Sequence, residues 1–162
     1  MTNPDQLLIE KFYSSFRELD TEGMQACYHN EVFFSDPVFP SLKGKEVNAM
    51  WQMLIESLKK NKKDWHLEFD EIKVDGDSGT CRWQARYTFS LSGRHVHNII
   101  WAKFKFKEGK IIEHRDSFDF YRWAKMAFGF TGFVLGWMPF FKKKIQTQVA
   151  GRLRKFVPSS DR

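Results

Sequence analysis

Two aspartates and a histidine are the side chains of this sequence best suited to moving protons. Asp36 stands immediately before Pro37, and Asp116 lies two residues beyond His114. A carboxylate in apolar surroundings has its charged form disfavoured, so its pKa rises. Two carboxylates close together push one pKa up further, and one can then serve as acid and the other as base near neutral pH. An imidazole beside them can hold or relay a proton. Each residue also has a structural reading. Asp36 suits a turn before proline. Asp116 can pair with Arg115 or Arg122, His114 can be a core histidine bonded to Asp116, and Asn98 can satisfy backbone groups in a sheet. No GxGxxG, Walker or metal-ligand pattern accompanies them, so the expectation is chemistry without metal or cofactor. His95 and His97 share a strand face but have no third ligand at useful spacing. Cys27 and Cys81 lie far apart and read as small buried hydrophobes in a reducing compartment.

The elements that must hold these groups follow from periodicity. Asn3 and Pro4 suit the cap and first position of a helix over 4–19, with Leu8, Phe12, Phe16 and Leu19 on its apolar face. Asp20-Thr21 starts a second helix reaching Tyr28. Val32-Phe33-Phe34 is a short β-like run, and a proline-bearing loop follows to Gly44. A third helix, about 45–60, turns Val47, Met50, Trp51, Leu54 and Leu58 inward. The period then falls to 2. Trp65, Leu67 and Phe69 alternate, then Ile72 and Val74 on the other parity, which predicts a bulge near Asp70-Glu71. Strands are expected over 81–91, 94–107 and 110–120, separated by turns. Helices followed by a strand meander predict an α+β domain with helices on one face of a curved sheet.

Charge divides the chain. Residues 1–121 hold 17 basic and 19 acidic residues, and 122–162 hold 9 basic and 1 acidic. That is a near-neutral domain carrying a basic tail, which argues against a nucleic-acid-binding domain. Positions 126–141 carry no charge, but they contain three Gly and one Pro, and the run is shorter than the roughly 20 residues of a spanning helix. Two readings stay open for 126–157. One is an apolar flap or dimer contact followed by a solvated helix. The other is weak contact with an anionic membrane surface. The N-terminus lacks a signal-peptide pattern, so the expected compartment is cytoplasmic, with peripheral membrane attachment as the alternative.

The element order resembles the nuclear transport factor 2-like superfamily, a cone-shaped, cystatin-like α+β fold. Three stretches carry the resemblance. They are Phe12-Tyr13-Ser14-Ser15-Phe16-Arg17-Glu18-Leu19-Asp20 with Met24; Phe34-Ser35-Asp36-Pro37-Val38 followed by Leu42-Lys43-Gly44; and Gly109 through Phe120, which includes Arg115-Asp116-Ser117-Phe118-Asp119. Together they cover about residues 5–121. Asp36 matches the general-base position of ketosteroid isomerases, whose oxyanion donors correspond to Phe12 and Ala102 in this sequence. Asp116 matches the general base of limonene epoxide hydrolases, whose Arg and second Asp correspond to positions near Trp83 and Ala85.

The resemblance implies a SnoaL-like (polyketide-cyclase-like) domain over 1–121: three N-terminal helices on a curved antiparallel sheet, with 122–162 as an apolar, then basic, helical extension. It implies that His114, Asp116 and Phe118, then Trp83, Tyr87 and Phe89, then Asn98, Ile100 and Phe104, face the inside of the cone, with Trp51 closing its side. The expected ligand is a small hydrophobic, cyclic molecule. The expected chemistry is that of an isomerase, cyclase or hydrolase, with Asp36, Asp116 and His114 as catalytic groups. A non-catalytic dimeric binding or scaffold module is the alternative. A homodimer is expected through the outer sheet face of His95, His97, Ile99, Trp101 and Lys103.

Overall fold

The computed structural model describes residues 2–157. Asn3 opens the first helix, α1 (Pro4–Arg17): its side-chain oxygen accepts from the Asp5 N–H at 2.8 Å, and Pro4 follows at the first helical position. Ile9, Phe12, Tyr13 and Phe16 bury one face of it. Asp20 caps α2 (Thr21–Gln25) by accepting from the Gly23 N–H at 3.0 Å. After α3 (Lys45–Lys59), a single 3-10 turn leads into the meander.

Six strands form one sheet in the order β2-β1-β6-β5-β4-β3. They are β1 (Tyr28–Ser35), β2 (Leu42–Lys43), β3 (His66–Asp75), β4 (Ser78–Thr88), β5 (His95–Lys107) and β6 (Lys110–Ser117). Its outer strands β2 and β3 do not pair with each other, so it stays open. β1 and β6 run parallel, and the other neighbours are antiparallel. The expected bulge is present: the β3–β4 register shifts between Asp70 and Lys73, and Glu71 takes a φ of 52°. Bulges bend and twist a sheet, which suits one that must wrap α1 and α3. Burial alternates along β5, where Val96, Asn98, Ile100, Ala102, Phe104 and Phe106 point in. The register pairs Trp83 with Ile100, Ala85 with Asn98, Ala102 with Asp116 and Phe104 with His114, so these residues share the inward face.

The tail adds three helices: α4 (Phe120–Phe128), α5 (Phe130–Leu135) and α6 (Pro139–Leu153). Asp119 caps α4 by accepting from the Arg122 N–H at 3.0 Å. Gly132 lets α5 lie directly on α4, because a Cβ there would overlap the Ala124 carbonyl oxygen. On α6, Phe141, Ile145 and Leu153 are buried and Val149 is half-buried, a stripe at spacing four turned toward the domain. Gln146 ties it down by donating to the Pro37 carbonyl at 3.0 Å. Among the described residues no helix is long and apolar enough to cross a membrane.

Several boundaries differ from the sequence expectation. The second helix ends at Gln25, and Tyr28 begins a strand. The Ile111 N–H donates to the Cys27 carbonyl, so pairing with β6 overrides a weak local helical preference. The proline-bearing loop hides the two-residue strand β2. The last strand stops at Ser117 and α4 already starts at Phe120, one residue inside the expected domain limit of 121. On α3, Ile55 is fully buried while Leu54 and Leu58 are half-buried. Positions 158–162 of the extension lie outside the described residues.

Candidate active site

The inward face of the sheet, together with α3, α4 and α6, lines a cavity of about 380 Å³. Of the expected site residues, Asp36, Asp116, Trp51, Trp83, Tyr87, Phe89, Asn98, Ile100 and Phe118 all line it. His114 and Phe104 do not. His114 is fully buried behind the wall, with the Phe104 ring 4.5 Å from its own and the Phe12 ring 5.4 Å away. The tail contributes to its lining: Val149, Arg152, Lys155 and Phe156 border it together with Leu54 and Leu58 of α3.

Asp36 directly follows β1 and opens the loop that Gln146 of α6 holds. Its Oδ1 accepts from the Val38 N–H at 2.7 Å and the Phe39 N–H at 2.6 Å. Its Oδ2 makes no hydrogen bond among the described residues, and the side chain borders the cavity. The carboxyl is pushed up to about 7, first by burial and then by the charge of Asp116. The two amides and Lys142 oppose the rise only in part. Such a carboxyl exists in both protonation states near neutral pH.

Asp116 is 7% exposed and sits at the end of a buried hydrogen-bonded chain. Trp51 Nε1–H donates to the Tyr28 oxygen at 2.9 Å, and the Tyr28 hydroxyl contacts His114 Nδ1 at 2.8 Å. His114 Nε2 contacts Asp116 Oδ1 at 2.9 Å, and Trp83 Nε1–H reaches the same oxygen at 3.4 Å. One assignment satisfies every atom: Tyr28 donates to Nδ1, and the imidazole carries its proton on Nε2 and donates it to Asp116. Burial holds the Tyr28 phenol well above its usual range, so it keeps the proton this assignment needs. His114 therefore orients Asp116 and stands one side chain away from the cavity.

Two polar groups on the wall remain open to a ligand. Asn98 is 5% exposed, and its amide makes no hydrogen bond among the described residues. Tyr87 accepts from Trp123 Nε1–H at 3.0 Å, which leaves its own hydroxyl proton free. Burial, with the Asp36 charge adding to it, pushes that phenol up to about 12, so it is neutral at physiological pH. A neutral phenol and a primary amide are both hydrogen-bond donors.

Tyr28 and Trp123 were missed from sequence. Backward extension of the Val32–Phe34 parity would have reached Tyr28. Reading Asp119 as a cap would have placed Trp123 on the first turn of a helix. His95 and His97, expected on the outer sheet face, bond Thr88 Oγ1 at 3.3 Å and Gln84 Oε1 at 3.0 Å. Both thiols are buried and unpaired, and burial raises Cys81 to about 12.

None of the curated proteins compared matches the chain. Solved structures of the same fold do. A nuclear transport factor 2-like protein of unknown function from Burkholderia pseudomallei superposes with a TM-score of 0.63 at 16% identity, covering 79% of this chain and 100% of its own. TerC, co-crystallised with polyporic acid, gives 0.61 at 19% identity, covering 77% and 98%. An LEH-like epoxide hydrolase from M. tuberculosis gives 0.56 at 17% identity, covering 82% and 96%. The family model described as a SnoaL-like domain matches residues 9–114, the stretch that supplies Asp36, Trp51, Trp83, Tyr87, Asn98 and His114. With most of its length so matched, the chain belongs to the SnoaL-like family, and it shares the nuclear transport factor 2-like fold.

Proposed function

We propose that the protein catalyses proton transfer, without a cofactor, on a small lipophilic cyclic carbonyl compound held in the cone, as an isomerase or cyclase. The observation that carries this reading is the placement of the Asp36 carboxyl on the wall of an aromatic cavity, where burial and the Asp116 charge push it up to about 7. A general base works best with a pKa near the operating pH. The cavity volume of about 380 Å³ suits one small organic molecule. A relative of the same fold was co-crystallised with polyporic acid, which supports an organic occupant.

The steps use groups already described. Asp36 takes a proton from the carbon beside the carbonyl. The C–H electron pair moves into the adjacent C–C bond, and the carbonyl pair moves onto oxygen. Tyr87 O–H and the Asn98 amide donate to that oxygen, in place of the donors absent at Phe12 and Ala102. In a ketone with a C=C beside that carbon, the enolate is a dienolate: the oxygen pair re-forms the carbonyl, the double bonds shift, and protonated Asp36 returns the proton to the far (γ) carbon, which completes an isomerisation. If the enolate carbon instead attacks a second carbonyl of the same molecule, a ring closes and Asp36 protonates the new alkoxide. Asp116, held through Oδ1, keeps its second oxygen for a substrate hydroxyl and raises the proton affinity of Asp36. His114 is a positioning residue.

The test has two parts. A thermal-shift screen against hydrophobic cyclic ketones and quinones identifies a binder. Proton NMR in D2O then follows exchange of its α-hydrogens. The expected result is exchange that Asp36→Asn slows by about 10²–10⁴-fold while the thermal shift persists. Exchange unchanged in Asp36→Asn overturns the assignment of the base. A second reading, a non-catalytic ligand-binding module, is favoured by the fully apolar side chains at Phe12 and Ala102. Binding with no exchange in the wild-type protein would establish that reading instead.

A further inference from the structure

The helical extension leaves aromatic surface bare. Phe130 is 80% exposed, Trp137 67%, Phe133 57% and Phe140 55%, all within eleven residues of α5 and the start of α6. A single exposed apolar residue is unremarkable, but four large exposed aromatics in one short segment mark a contact surface. The charged residues of the segment that carries them are all positive. From Phe120 to Val157 the sequence contains no Asp or Glu. Lys143 and Lys144 are exposed one helical turn from Phe140 on the same helix. On the other side, Lys125 lies 4.6 Å over the Tyr121 ring, and the Tyr121 hydroxyl donates to the Phe133 carbonyl at 3.0 Å, so this cation also borders α5.

From this arrangement we infer that α5 and the first turn of α6 dock on an anionic phospholipid bilayer. Phe130, Phe133, Trp137 and Phe140 enter the interfacial layer, and Lys125, Lys143 and Lys144 meet the headgroups. Shallow insertion of aromatics combined with a basic rim is the pattern of a peripheral contact, in which apolar burial and attraction to anionic lipid act together. Trp, with an apolar body and one polar edge, suits that depth. A second copy of the chain fits this face less well, because two-fold pairing would press the lysines of one copy against those of the other. The patch is rigidly presented: Gly132 packs α5 on α4, and the buried stripe of α6 anchors the segment beyond it.

The test is flotation of the full chain with vesicles of phosphatidylcholine mixed with phosphatidylserine, and with phosphatidylcholine alone. We expect binding to the mixed vesicles that weakens as salt rises from about 0.05 to about 0.5 M. Phe133→Ser with Trp137→Ser should lower binding at least about tenfold. Lys143→Gln with Lys144→Gln should lower binding to the mixed vesicles and leave weak binding to phosphatidylcholine unaltered. These four side chains are exposed, so circular dichroism should show both double variants folded. Absence of wild-type binding to the mixed vesicles overturns the inference. So does binding indifferent to the aromatic substitutions. Sedimentation showing an oligomer that the aromatic variant dissociates would also overturn it, by assigning the face to a protein contact.

Discussion

Asp36 makes a thermodynamic statement that can be measured without knowing any substrate. Burial, with the Asp116 charge adding to it, pushes its carboxyl up to about 7 in the folded protein, from 3.8 for an ordinary aspartate. Between these values the native state holds a proton that the unfolded state has released. Stability attributable to this group is fully present below about pH 4 and is lost as pH rises through about 7. At 1.36 kcal/mol per tenfold difference in proton affinity, the loss is about 4 kcal/mol. Asp36→Asn is the informative perturbation, because the amide keeps Oδ1 to accept from Val38 and Phe39 but never ionises. Urea unfolding of both proteins from pH 4 to pH 9 isolates Asp36 and its coupling to Asp116 as a difference of differences, since titrating groups that do not interact with Asp36 cancel. We expect the variant to gain on the wild type by about 4 kcal/mol across that range, with most of the change between pH 4 and 7. A pH-independent difference, or one complete by pH 5, would refute the claim that apolar burial beside Asp116 dominates this site.

Three further outcomes follow from the same geometry. Tyr87→Phe removes the neutral hydroxyl donor while keeping the ring. Exchange of a bound ketone's α-hydrogens should fall by about 10²-fold or more with little change in affinity, as read by NMR and titration. Tyr28→Phe leaves Trp51 Nε1–H and His114 Nδ1 without partners in the core. Urea unfolding should register a loss of about 1–3 kcal/mol for each group, and a loss well below that range would mean that the chain to Asp116 is not closed as described. On the outer sheet face Trp101 is 47% exposed beneath the Arg82 guanidinium at 5.9 Å. We propose that this face pairs two copies of the chain, so Trp101→Glu should shift sedimentation toward monomer; an unaltered dimer would remove that contact.

Local order alone determined much of this protein. The Asn3 and Asp20 caps, the apolar faces of α1 and α3, the parity of β4, β5 and β6 and the change of parity at the bulge are all set by residues within a few positions of one another. Three short stretches in the right order were enough to reveal the cone. Tertiary structure decided what the polar residues became. Asp36 and Asp116 are separated by 79 intervening residues, and only the parallel β1–β6 pairing brings both to one cavity. Parity put His114 with Asp116 correctly, yet it could not say which of them faces the cavity and which lies behind it. That depended on Phe104, Phe12 and Tyr28 filling the space around the imidazole. The tail was opaque for a similar reason. Its hydrophobic residues divide between a stripe buried against the domain and side chains that face outward, and composition does not distinguish the two. The physical cause is common to all of these cases. Periodicity records which side of an element is apolar, whereas proton affinity and exposure are set by what distant parts of the chain bring against it.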